Sequence, residues 1–123
     1  MPHPHTVTLP WPSRNLNPNA RAHWSGLARA KRLARHAAMI LARQAFGFQP
    51  GFTMPLDVHV TFCPPDNRHR DADNMLASCK AYFDGIADEI KVDDRHWHLT
   101  IHRGTVVKGG AVHVSIGGHP LAK

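Results

Sequence analysis

The stretch Arg68-His69-Arg70-Asp71-Ala72-Asp73-Asn74 is the part of this chain best equipped for chemistry. Asp71 and Asp73 stand two positions apart, with cationic residues before them and an apolar helical pattern after. A second acidic pair, Asp93-Asp94, follows further along the chain. Elsewhere the chain is basic, with 15 Lys and Arg against 9 Asp and Glu, a net charge of +6 and a pI near 10.0. Carboxylates this close repel one another unless a cation neutralises them. Hard ions such as Mg²⁺ take carboxylate, water and phosphate oxygens. Asp71 and Asp73, joined by Asp93 or Asp94 where a strand end meets a helix start, are therefore expected to hold Mg²⁺ or Mn²⁺. An ion there polarises a phosphodiester and activates water, and a pair about 3.5–4 Å apart stabilises both the entering and the leaving oxygen. The plainer reading of an Asp-x-Asp pair is a helix cap and a solvated acid. Residue types alone leave both open.

Asp73, Ala77, Lys80 and Asp84 share one face of the helix expected over 73–88. Lys80 lies nearly two turns below Asp73, an axial distance of about 10 Å. Side chains lean towards the helix N-terminus, so Lys80 is expected to reach back to the carboxylates. There it can stabilise charge developing on phosphorus or orient water.

The elements that must position these groups follow from periodicity. Thr6 to Leu9 reads as a short strand closed by Pro10-Trp11-Pro12, because proline lacks an amide donor. Ser13 to Arg21 is a loop in which Asn15, Asn17 and Asn19 either make turns or bind phosphate. The spacing of Leu27, Ala30, Ala34, Ala37 and Leu41 predicts a helix over 23–45, its apolar stripe widened by Leu33, Ala38 and Ile40. Arg29, Arg32, His36 and Arg43 line the other side, flanked by Lys31 and Arg35. That face is either a phosphate-tracking surface or an ordinary solvated one. Gly47 and Pro50 end the helix.

Leu56 to Phe62 alternates as a strand, and so does His96 to Arg103, with one mostly apolar face. The regular alternation of His96, His98 and His102 fits exposed or hydrogen-bonded histidines better than a histidine-based metal nuclease. Lys108-Gly109-Gly110 carries the pattern of a hairpin turn leading into a strand over 111–116. The expected fold is therefore α+β: one domain over 1–123, with an antiparallel or mixed sheet of about four strands packed on two main helices. Residues 1–5 and 117–123 read as flexible tails.

Composition bounds the rest. No apolar run approaches the ~18 residues that span a bilayer, and the N-terminus lacks the pattern of a signal peptide, so a cytoplasmic protein with no membrane partner is expected. Cys63 and Cys79 form no C-x-x-C pair and read as buried, reduced thiols. The basic excess favours a polyanionic partner, nucleic acid foremost.

In order and spacing, several segments together resemble the RusA family of endodeoxyribonucleases, Holliday-junction resolvases common in prophages. They are Leu9-Pro10-Trp11-Pro12-Ser13, Arg70-Asp71-Ala72-Asp73-Asn74, Lys80-Ala81-Tyr82-Phe83-Asp84-Gly85-Ile86, Asp93-Asp94 and Lys108-Gly109-Gly110. The resemblance spans nearly the whole chain. It implies a small Mg²⁺-dependent homodimer of mixed α/β fold that cuts four-way DNA junctions by paired nicks, leaving 5′-phosphates. By resemblance Asp71, Asp73 and Asp94 are the essential acids, with Asp93 beside them, and Lys80 is the catalytic lysine. The family's lysine falls where this chain has Ala77, so either residues were gained before Lys80 or its role moved by one helical turn. Arg14, Asn15, Arg29, Arg32, Arg68, Arg70 and Lys108 are the expected DNA contacts. The alternatives are a protein that binds branched DNA without cutting it, and a nuclease acting on flaps or forks.

Overall fold

The computed structural model describes residues 5–48, 50–52 and 54–118. Thr6–Pro10 forms β1, Trp24–Phe46 α1, Leu56–Cys63 β2, Ala72–Ser78 α2, Lys80–Ile90 α3, Trp97–Arg103 β3 and Ala111–Gly118 β4. Single 3₁₀ turns occupy Arg14–Leu16, Pro18–Ala20 and Asp94–His96. The architecture is α+β, a four-stranded mixed sheet with three helices.

Alternation along the strands decides which face of the sheet is covered. Val7 and Leu9, Leu56 to Phe62 at every second position, and Val112, Val114 and Ile116 are at most 2% exposed and share one core with the helices. The strand order is β1-β4-β2-β3. β2 runs antiparallel to β4 and parallel to β3, with Val60 opposite both Ile101 and Val114. Parallel neighbours need a long crossover, and α2 with α3 supplies it.

The expected hairpin between the last two strands is absent, because β2 lies between them. The turn itself forms: Gly109 and Gly110 take left-handed φ values of 79° and 73°, and the Gly110 amide donates to the Val107 carbonyl. Before it, however, the chain stays tied to the end of β2. The Gly104 amide donates to the Phe62 carbonyl at 2.8 Å and the Val107 amide to the Pro64 carbonyl at 3.0 Å. β4 is thereby delivered to the far side of β2, satisfying both of its edges. β3 is left as an outer strand, and its apolar face is only half covered: Leu99 is exposed, while Trp97 and Ile101 pack on the core.

α1 buries Ala34, Ala38, Ala42 and Phe46, a row at every fourth residue. Leu33 and Ile40, expected to widen that stripe, are 60% and 45% exposed. The narrowness has a cause. A Cβ on Gly85 of α3 would collide with the Arg35 carbonyl and touch Ala38, so α1 and α3 approach too closely for larger side chains. Arg35 binds Asp88 through two hydrogen bonds of 2.6 and 3.0 Å. Arg43 donates to the buried Glu89 at 2.8 Å. Two cations of the supposed phosphate face are thus engaged within the fold.

The single helix expected over 73–88 is broken at Cys79, whose backbone (φ −98°, ψ 1°) leaves the helical range. The hydroxyl of Ser78 donates back to the Asn74 carbonyl at 2.8 Å, a bond that bends helices. Cys79 and Cys63 are both buried free thiols, and burial pushes the Cys79 thiol up to about 12. β4 continues through Gly118, and His5 sets its ring edge-on against Phe46 and Phe52. Of the expected tails, residues 1–4 and 119–123 lie outside the described residues. Among the described residues no helix is long and apolar enough to cross a membrane.

Candidate functional site

Two hollows flank α2. The larger, about 880 Å³, is lined by Asp73, Lys80, Asp84 and Asp94 on one side. Lys31, Arg32 and Arg35 of α1 line it on another, with Asn15, Asn17 and Arg21 from the loop before that helix. The smaller, about 680 Å³, is lined by Asp71, His69, Arg68 and Arg70, with Trp11, Arg14 and Asn74.

Asp71 and Asp73 thus open onto different hollows, although one residue separates them. A helix turns about 100° per residue, so two acids at i and i+2 of a helix start point to opposite sides. Asp71 is the cap residue of α2, yet its side chain makes no capping bond. Its carboxylate instead meets Nε2 of His69 at 3.2 Å. Asp73 lies in the first turn, where negative charge is favoured, and accepts from the Asn74 amide at 3.0 Å.

Lys80 does not reach back to Asp73. Its ammonium donates to Asp84 at 2.8 Å and to Asp94 at 2.5 Å. The hydrogen bonds to Asp84 and then Asp94 hold its pKa above the usual lysine range. The break at Cys79 explains the change of partner, since Lys80 is the first residue of a new helix and no longer continues the turns of α2. Asp93 and Asp94 also part company. Asp93 caps the 3₁₀ turn by accepting from the Arg95 amide at 3.0 Å, and that bond holds its carboxyl below the ordinary range. Asp94 enters the cavity.

The four acids expected to converge are therefore divided: Asp73 and Asp94 in the cavity, Asp71 in the neighbouring groove, Asp93 capping a turn. Asp84 joins the cavity instead; its i,i+4 spacing from Lys80 is the signal that finds it in the sequence. Three carboxylates on one cavity are the right donor chemistry for Mg²⁺. In this arrangement no three ligating side chains among the described residues converge on one point, and Lys80 occupies oxygens of both Asp84 and Asp94.

The expected DNA contacts are divided as well. Arg32 and Asn15 line the cavity. Arg14, Arg68 and Arg70 line the groove. Arg29 lies on a separate shallow hollow beside Leu33. Lys108 sits exposed in the turn before β4 and lines neither site. Arg68 and Arg70 are bound by Asp66 at 3.0 and 2.9 Å. The Arg70 hydrogen bond, then the Arg68 amide, holds the Asp66 carboxyl far below the usual range. Arg70 also lies 5.5 Å from the centre of the Trp11 ring. Asn17 proves to be turn-making, accepting from the Asn19 amide at 2.9 Å, and it lines both hollows.

The result is a small α+β domain in which three acids and one lysine face a wall of cations across a single cavity. No protein-family model matches the chain. It is 29% identical to crossover junction endodeoxyribonuclease RusA of Escherichia coli K12, over 91% of this chain and 92% of that protein. The RusA protein of Escherichia coli CFT073 matches equally. An uncharacterised protein of Xylella fastidiosa is 46% identical over 96 residues, 75% of this chain, and the chain spans 61% of that protein's length. The similarity to RusA is distant and runs along most of both chains.

Proposed function

We propose that the protein is a divalent-metal-dependent endonuclease that resolves four-way DNA junctions by paired phosphodiester hydrolysis leaving 5′-phosphates, in recombination and repair. One observation carries the reading: Asp73, Asp84, Asp94 and Lys80 share a cavity with Arg32 and Lys31 of α1. The likeness to RusA supports it from outside the geometry.

Asp73 and Asp94 would hold Mg²⁺ or Mn²⁺ in the cavity, with Asp71 in the neighbouring groove. An ion held there would supply polarisation of the scissile phosphate and a lowered pKa for its bound water. Lys80 presents positive charge to the phosphate undergoing attack. Arg32, Lys31 and Arg21 hold flanking phosphates on the cavity side, and Arg14, Arg68 and Arg70 do so in the groove. Such contacts position DNA without reading its sequence. A junction has near-twofold symmetry, so the active form is a C2 homodimer whose two sites face opposing strands.

The test is a synthetic four-way junction with each strand end-labelled in turn, incubated in Mg²⁺ or Mn²⁺ with wild type or Asp73→Asn. Paired nicks from wild type, absent with the variant while both shift the junction in a gel, are expected. An intact junction with folded wild type in both metals overturns the proposal. A second reading, a protein that grips branched DNA without cutting it, has one observation in its favour: Lys80 already neutralises Asp94. Faster cutting of flaps or forks than of junctions would move the protein to a broader substrate class.

A further inference from the structure

Lys80 holds two carboxylates with one ammonium. Asp84 lies one turn further along the same helix, and Asp94 is brought in by the 3₁₀ turn after α3. Asp94 is a proposed metal ligand, so lysine and metal ion claim the same oxygens. Asp84 gives the lysine somewhere else to stay. The nearby Arg35 is already joined to Asp88 by two hydrogen bonds, which leaves Lys80 as the cation of the acid side. An ammonium has three donors. An ammonium released from Asp94 would still have Asp84 to bind and a donor left for the cavity.

We propose that Asp84 is a positioning residue: it retains Lys80 beside the cavity when Asp94 is given over to a divalent cation. The inference rests on the metal-dependent reading above. An ordinary i,i+4 surface pair would contribute little and would leave metal affinity untouched. Here the two carboxylates share one lysine, so loss of Asp84 confines Lys80 to Asp94 and sets it against the metal. Loss of Lys80 removes the competitor.

The experiment is a double-mutant cycle on the full chain without DNA, reading Mn²⁺ affinity from the EPR signal of free Mn²⁺. Lys80→Met is expected to tighten Mn²⁺ by about threefold to tenfold, the size of a typical coupling between contacting groups. Asp84→Asn is expected to weaken it by a similar factor, and Asp84→Glu to restore it. The decisive result is the double variant: in the Lys80→Met background, Asp84→Asn should change affinity by less than about twofold. Circular dichroism and thermal melts identify any variant that has unfolded, and Asp84→Glu then carries the comparison. Equal weakening by Asp84→Asn with and without Lys80 makes Asp84 a direct ligand and overturns the proposal. So does unchanged affinity in Lys80→Met. If no variant binds Mn²⁺, or if Asp73→Asn binds as wild type does, the metal-dependent reading itself falls, an outcome distinct from additivity in the cycle.

Discussion

The groove around Asp71 and the cavity around Asp73 are built from one helix start and differ in almost every respect. In the groove, cations predominate: Arg14, Arg68, His69 and Arg70 surround a single lining carboxylate, Asp71. Asp66 fixes Arg68 and Arg70 from behind, and Trp11 backs Arg70. In the cavity, three carboxylates and Lys80 face the cations of α1. Under the proposed function, the groove would hold a backbone and the cavity an ion against it. The contrast teaches that two acids spaced i,i+2 at a helix start divide two neighbouring surfaces between them. A strand lying across α2 would touch both.

The largest effect that could break this contrast is catalytic. Asp73→Asn should lower junction nicking by about a hundredfold or more, the range for groups that act on the reacting phosphate or its metal. Asp71→Asn should cost about tenfold, because its carboxylate lines the neighbouring groove and not the cavity. Single-turnover rates at saturating protein measure both. Equal losses would mean that the hollows form one site in the working complex.

Stability gives the next test. Gly85→Ala places a methyl against the Arg35 carbonyl and Ala38, and should destabilise by about 2 kcal/mol, as overpacking does. Arg14→Ala, at the exposed rim of the groove, should stay within about 0.5 kcal/mol. Urea melts of the two variants distinguish the close contact of α1 with α3 from the exposed groove rim.

The smallest effect concerns DNA. Arg32→Ala and Arg14→Ala should each reduce the slope of log affinity against log salt by about 0.9 on an uncut junction in Ca²⁺, one phosphate contact apiece. A change in only one of them would assign the backbone path to a single hollow.

Much of the fold was legible because the burial pattern is simple. Val58, Val60, Val112 and Val114 alternate with polar residues, and the structure buries them. Helix α1 ends at Gly47 as its sequence implies. Strand order was less visible, since a turn such as Lys108-Gly109-Gly110 specifies a reversal but not which strand receives it. The break at Cys79 was hidden because Met75, Leu76, Cys79, Tyr82 and Phe83 keep helical spacing across it, while the bond that disrupts the ladder comes from Ser78. Leu33 and Ile40 misled because spacing does not say how wide a face the fold covers, and only the row Ala34, Ala38, Ala42 and Phe46 is buried. The acids were recognisable as a group by type. Their division between two hollows depends on rotation about α2, and the pairing of Lys80 depends on where α3 restarts.

The connection between β2 and β3 carries Asp71, Asp73, Lys80, Asp84 and Asp94, whereas Lys31, Arg32 and Arg35 arrive on a separate helix. All five lie on one continuous crossover, so their spacing is set by α2, α3 and the 3₁₀ turn, while α1 brings its cations from an earlier part of the chain. Lys31 and Arg32, both exposed, can therefore be exchanged to reset the charge of that wall without moving the acids opposite.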